Sequence, residues 1–266
     1  MLRIPVCYQG LVIAALLMQV FCPRTNATVI FYVYHADALY VGSDSLVTID
    51  DTNAFLMDKV GRFTDTCSVS IAHSYGNTQT FLPLELQKMC NAIGPTEAPL
   101  QTKIDQIISA FQPIFENYWN QTGRDTNCST AVTFAGYDPD NKIFFMTKFD
   151  FNGPNPPAPN KNWQIQPEDR AGRCAAIGQE KFIGTLFNSP SSGEDKLRQY
   201  RSDTFKNTLL RLGLGVPVTD EEIRDWMLGI FDLDQKQAIA LGLDNRPISG
   251  PYRIVKVTST NVTLLH

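Results

Sequence analysis

From Thr28 to Asp44 the chain reads Thr-Val-Ile-Phe-Tyr-Val-Tyr-His, then Ala36-Asp37, then Ala-Leu-Tyr-Val-Gly-Ser-Asp. β-Branched and aromatic residues dominate both halves, and such side chains suit a pleated, packed surface. The segment is therefore a strand, a tight turn and a second strand. Everything downstream has to be compatible with a hairpin at this point.

The pattern beyond it alternates between strands and helices. Strands are expected near Lys59–Phe63 and Ser68–Ala72, and a helix opening at Gly76 places Phe81, Leu84, Leu86 and Met89 on its apolar side. A second helix covers about Thr102 to Trp119, where Ile104, Ile107, Ile108, Phe111, Ile114 and Phe115 recur every three or four positions, the stripe of a helix packed on a sheet. Ala131–Tyr137, the turn Asp138-Pro-Asp-Asn and Lys142–Phe149 form another hairpin, and Gly153–Pro159 is a Pro-rich loop. A strand near Cys174–Ile177 leads into a helix from about Gln179. Helices over roughly Asp195–Leu212 and Thr219–Leu241 follow, and Tyr252–Val257 is a last strand. This order describes an α+β layered domain with helices covering a mostly antiparallel sheet.

Residues 1–27 read differently. Arg3 precedes an apolar run from Leu11 to Phe21, and the polar stretch ending Thr25-Asn26-Ala27 carries the small residues that signal peptidase accepts. The run is about half the ~20 residues that span a bilayer. We therefore expect a removable signal peptide (1–27), one domain (28–266), secretion into an extracellular or other secretory lumen, and no membrane contact after cleavage. Cleavage would remove Arg3 and Arg24 from the 23 basic residues, leaving 21 against 27 acidic ones, a balance that argues against a nucleic-acid partner. Cys67, Cys90, Cys128 and Cys174 would remain as an even set, for which disulfides in any of three pairings, or buried thiols, are the expectations. Asn120, Asn127 and Asn261 each begin an N-glycosylation acceptor triplet.

From Thr28 onward the chain resembles the proteasome β-subunit family of N-terminal nucleophile hydrolases. Asp44-Ser45 stands sixteen residues after Thr28, at the spacing of the family's Asp-Ser pair, Thr48 follows at a channel-lining position, and Lys59-Val60 falls where the family has its essential Lys. Ala135-Gly136-Tyr137-Asp138 matches a family strand end, and Ser249-Gly250 the late Ser-Gly. The departures are Ile177 at the Ser of the family's Gly-Ser-Gly corner, Arg246 at the Asp before the late Ser-Gly, and His73 at the first Gly of the Gly-Gly turn.

The resemblance implies a four-layer αββα sandwich and a threonine-type hydrolase of amide or peptide bonds. An N-terminal Thr needs no separate His, because its own α-amine, with a pKa of about 8, can accept the hydroxyl proton. Thr28 is then nucleophile and base. Lys59 disfavours the protonated amine by like-charge repulsion, Asp44 partners Lys59, and Ser249 supports the amine. Thr48, His73 and Ser74 are the expected substrate-binding positions, with a backbone N–H in the His73–Gly76 turn as oxyanion donor. The partner is a peptide or small amide. A self-assembled oligomer or a monomer is expected, and neither cofactor nor metal is assigned. Two alternatives stay open: a non-catalytic binding or structural protein that keeps the fold, and a small-molecule amidase or acylase on the same scaffold.

Overall fold

The computed structural model describes residues 29–48, 54–73, 75–77, 79–124, 128–165, 173–178, 208, 211, 216–240 and 251–266. The opening hairpin forms from β1 (Val29–His35) and β2 (Ala38–Ser43), which pair antiparallel. Ala36 and Asp37 link them at φ 48° and 58°. Two successive positive φ values match the right-handed twist of the flanking strands, which is why this short link closes the hairpin.

A small hairpin, β3 (Leu46–Thr48) with β4 (Ala54–Leu56), comes next, then β5 (Val60–Thr64) and β6 (Cys67–His73). Helices α1 (Leu82–Ile93) and α2 (Leu100–Gln121) precede β7 (Thr130–Asp138), β8 (Ile143–Phe151), β9 (Pro159–Ile165) and β10 (Arg173–Gly178). Helix α3 (Asp220–Ala240) and strands β11 (Arg253–Val257) and β12 (Val262–Leu264) complete the described elements. One five-stranded sheet has the order β10-β1-β2-β11-β12 and the other β5-β6-β7-β8-β9. All their pairings are antiparallel.

Side-chain alternation sets the layers. On β1, Ile30, Tyr32 and Tyr34 face the second sheet and pack with Ala72, Ala131, Ala135, Phe144 and Met146. The alternate residues Val29, Phe31 and Val33 pack under Ile223, Trp226, Met227, Ile230 and Phe231 of α3. Both faces of the strand are covered, so all seven residues are buried and the strand has no polar face. The second sheet's outer face takes the stripes of α1 and α2, with Val69, Ile71, Phe134 and Phe149 against Leu86, Ile104, Ile107, Phe111 and Phe115. The result is the expected helix-sheet-sheet-helix stack. Between the sheets, Tyr32 and Ser70 share a buried hydrogen bond of 2.7 Å.

Several local expectations are corrected. Helix α1 starts at Leu82 rather than Gly76, because Gly76 has φ 100° and bridges to Phe81, while Asn77 Oδ1 accepts the N–H groups of Gln79 and Thr80. That side-chain turn diverts the backbone from the helix. Strands β3, β4 and β12 have only three residues each, too few for periodicity to register. The Pro-rich loop gives way at Pro159 to β9, a sheet edge, where a residue without an N–H is tolerated at the first position. Cys67 and Cys90 are free, buried thiols, whereas Cys128 is disulfide-bonded. The helices expected from Gln179 and over Asp195–Leu212 lie outside the described residues, apart from single helical positions at Thr208 and Arg211.

Gly136 and Gly61 are opposites in the space around them. A Cβ on Gly136 would lie 2.3 Å from the Thr66 carbonyl oxygen and 2.6 Å from Cys67 Cα, whereas one on Gly61 would meet nothing within 4 Å. Gly136→Ala is expected to cost about 1–3 kcal/mol, since backbone has to shift. Gly61→Ala is expected to stay within about 0.5 kcal/mol of the parent in a denaturant titration.

Candidate functional site

Asp44 follows the last residue of β2, and Lys59 precedes the first of β5. The β3–β4 hairpin lies between them, and its base is closed where the Met57 N–H donates to the Ser45 carbonyl at 2.8 Å. That closure brings two side chains fifteen residues apart into contact: Lys59 Nζ donates to Asp44 Oδ2 at 2.7 Å. Neither side chain retains exposed surface. The second carboxylate oxygen is also used, since the Val29 N–H donates to Asp44 Oδ1 at 3.1 Å. The ammonium lies 5.4 Å from the centre of the Tyr75 ring, a distance that permits a favourable cation–π contact.

Burial and pairing oppose each other here. Burial pushes the Asp44 carboxyl up from its ordinary value against the pull of the Lys59 charge and the Val29 amide. Burial likewise pulls the Lys59 ammonium down against the attraction of Asp44. Each charge is held mainly by the other. A lysine lowered in this way loses a proton more readily than a solvated one.

The remaining expected site residues divide. Thr48 ends β3, opposite Ala54, in the small hairpin that joins Asp44 to Lys59. His73 ends β6 opposite Thr130 at φ 73°. The backbone there adopts the left-handed conformation that glycine favours although the residue is not glycine, at a cost on the order of 1–2 kcal/mol. Thr28, Ser74 and Ser249 lie outside the described residues, as does Arg246. Ile177 lies on β10 opposite Ile30.

A cavity of about 380 Å³ adjoins Lys59 along β5, the edge strand of its sheet, and is lined by Met57, Lys59, Gly61, Ile71, Phe81 and Leu84 among others, though not by Asp44. Arg253, ion-paired to Asp58, also borders it. A second cleft of about 920 Å³ at the β5–β6 and α1–α2 turns is larger but contains neither Asp44 nor Lys59. We place the candidate site at the smaller one. Sequence patterning alone did not indicate this cavity: the open space over Gly61 depends on how α1 crosses β5.

No protein-family model and no curated protein matches the chain. Solved structures do. The Anbu complex of Pseudomonas aeruginosa, described as a helical assembly, aligns over 89% of this chain and 87% of its own at TM-score 0.53 and 12% identity. Anbu, the ancestral beta-subunit, of Yersinia bercovieri aligns over 89% and 86% at TM-score 0.49 and 12% identity. The first likeness establishes the fold: an α+β, proteasome-like sandwich of the N-terminal nucleophile type. It also corrects the expected kinship, because the neighbours are Anbu proteins, distinct from the proteasome β subunit, and they give no support to secretion.

Truncating one partner of a buried pair leaves the other charge uncompensated. Lys59→Met is expected to cost about 3–5 kcal/mol, and combining it with Asp44→Asn, which still offers an oxygen to the Val29 amide, to recover much of that loss. Equilibrium unfolding of the two single variants and the double variant measures the coupling; additive losses would deny it.

Proposed function

We propose that the chain is a secreted threonine-type amide hydrolase acting on peptides, with Thr28 as nucleophile once cleavage after Ala27 makes it the first residue. The observation that carries the reading is the buried Asp44–Lys59 pair tied to the Val29 amide. Thr28 is peptide-bonded to Val29, so it is covalently next to a backbone amide that Asp44 holds.

In the proposed reaction Thr28 Oγ attacks the carbonyl carbon of the substrate amide, and its proton passes to the Thr28 α-amine. The carbonyl oxygen takes the negative charge and is held by a backbone N–H in the His73–Gly76 turn, to which Ser74 belongs. The C–N bond breaks and the departing amine takes the proton, leaving an ester on Thr28. Water then adds to the ester, the C–O bond to Thr28 breaks, and the acid leaves. Lys59 keeps the α-amine unprotonated by repulsion, Asp44 fixes Lys59, Ser249 supports the amine and Thr48 contacts substrate.

The cavity beside Lys59 offers a substrate side chain both an apolar wall, with Met57, Ile71, Phe81 and Leu84, and polar groups such as Arg62 and Gln87. Self-assembly is part of the proposal too, on the ground that the Pseudomonas aeruginosa neighbour is a helical assembly. N-Glycosylation of Asn120 and Asn261 would fit their exposure.

The first measurement is the terminal residue of the expressed, processed protein, by intact mass and terminal sequencing. Thr28 at the terminus is the expected result. Thr28→Ala should then reduce hydrolysis of fluorogenic peptides at least ~100-fold with an unchanged melting temperature, because only the reacting hydroxyl is lost. Undiminished turnover by that variant, or a mature terminus elsewhere, would overturn the reading.

A further inference from the structure

His35 is the last residue of β1 and is almost fully buried, with 1% of its surface exposed. Its Nε2 accepts the N–H of Val218, 183 residues away, at 3.2 Å. Its Nδ1 has no hydrogen-bond partner among the described residues. A ring that accepts at Nε2 is neutral and carries its proton on Nδ1. Protonating Nε2 would set two donors, the new N–H and that of Val218, against each other, so the bond and the imidazolium exclude one another.

The segment held by His35 runs directly into α3. Thr219 and Glu222 form a reciprocal cap there: the Thr219 N–H donates to Glu222 Oε2 at 2.8 Å and the Glu222 N–H to Thr219 Oγ1 at 3.2 Å. Arg211 braces the same turn, donating to Glu222 Oε1 at 2.6 Å and to the Pro217 carbonyl. The other charged groups on the surrounding elements are engaged: Asp37 accepts from Tyr34, and Asp220 accepts from Tyr40 and Lys256. No described carboxylate pairs with His35, so the charged ring would have Arg211 near it without a counter-charge.

We infer that the His35–Val218 hydrogen bond is an acid-released latch that fastens the entry of α3 to the end of β1, and that acidification undocks this turn. The consequence reaches the candidate site through one element, since α3 roofs Val29, Phe31 and Val33, and Val29 carries the amide that Asp44 holds.

Burial first, and the Arg211 charge second, hold His35 below its ordinary value of 6.5. The unfolded or undocked chain therefore binds the proton more readily than the latched one. The latch's contribution is complete above the ordinary value and is lost as pH falls from there through the lowered one.

Amide hydrogen exchange of the intact protein between pH 7 and 5, corrected for intrinsic rates, reads the latch at residues 216–222. Protection there should fall by up to ~10-fold per pH unit in the parent, the limit for one proton. His35→Gln, whose amide oxygen can still accept from Val218, should show no such slope. Arg211→Gln should begin its fall at the same pH but lose less protection in total, because without that cation the value of the latched ring lies nearer the ordinary one. Equal slopes in the parent and His35→Gln would overturn the latch. If His35→Gln fails to fold, an Arg211→Gln profile that loses as much protection between pH 7 and 5 as the parent would overturn it instead.

Discussion

The Asp44–Lys59 pair is the constraint on which the rest of the arrangement turns. A lysine and an aspartate without any exposed surface are each expensive to bury, and the cost is offset only if geometry and hydrogen bonding are good. Here both carboxylate oxygens are used, one by the ammonium and one by a backbone amide. That double use fixes three segments at one point: the start of β1, the end of β2 and the start of β5. The two sheets are thereby joined by an ionic contact at one end of the sandwich.

The same contact accounts for the β3–β4 hairpin. Fifteen residues separate Asp44 from Lys59, and the chain has to leave one sheet and enter the other across that interval. The small hairpin takes up the slack, and the bond from Met57 to Ser45 closes it just outside the pair. The cavity then falls beside Lys59 because β5 is an edge strand and Gly61 leaves space above it.

Much of this was legible in the sequence. The β1–β2 hairpin, the apolar stripe of α2 and the hairpin around Asp138 followed from side-chain type and turn chemistry, which act locally. The pair was singled out by the resemblance to the proteasome β-subunit family, at whose spacings from Thr28 Asp44 and Lys59 stand. Burial, the tie to Val29 and the cavity were not legible, because they depend on contacts between segments far apart in the chain. His35 was hidden for the same reason: as one of three histidines without a ligand cluster it carried no signal, and its partner is a backbone N–H 183 residues on. The helix start misread at Gly76 turned on a single asparagine side chain competing with the helical backbone.

The position of β1 also governs how the protein can be made. Its two neighbours in the sheet are β2 and β10, and β2 in turn needs β11, so the sheet that begins at residue 29 is not closed until residue 257 exists. At ribosomal rates of about 5–20 residues per second that is a wait of roughly eleven to forty-six seconds. Throughout it, the hairpin's two apolar faces and two strand edges wait for their partners, which leaves them open to wrong pairing until the C-terminal strands arrive.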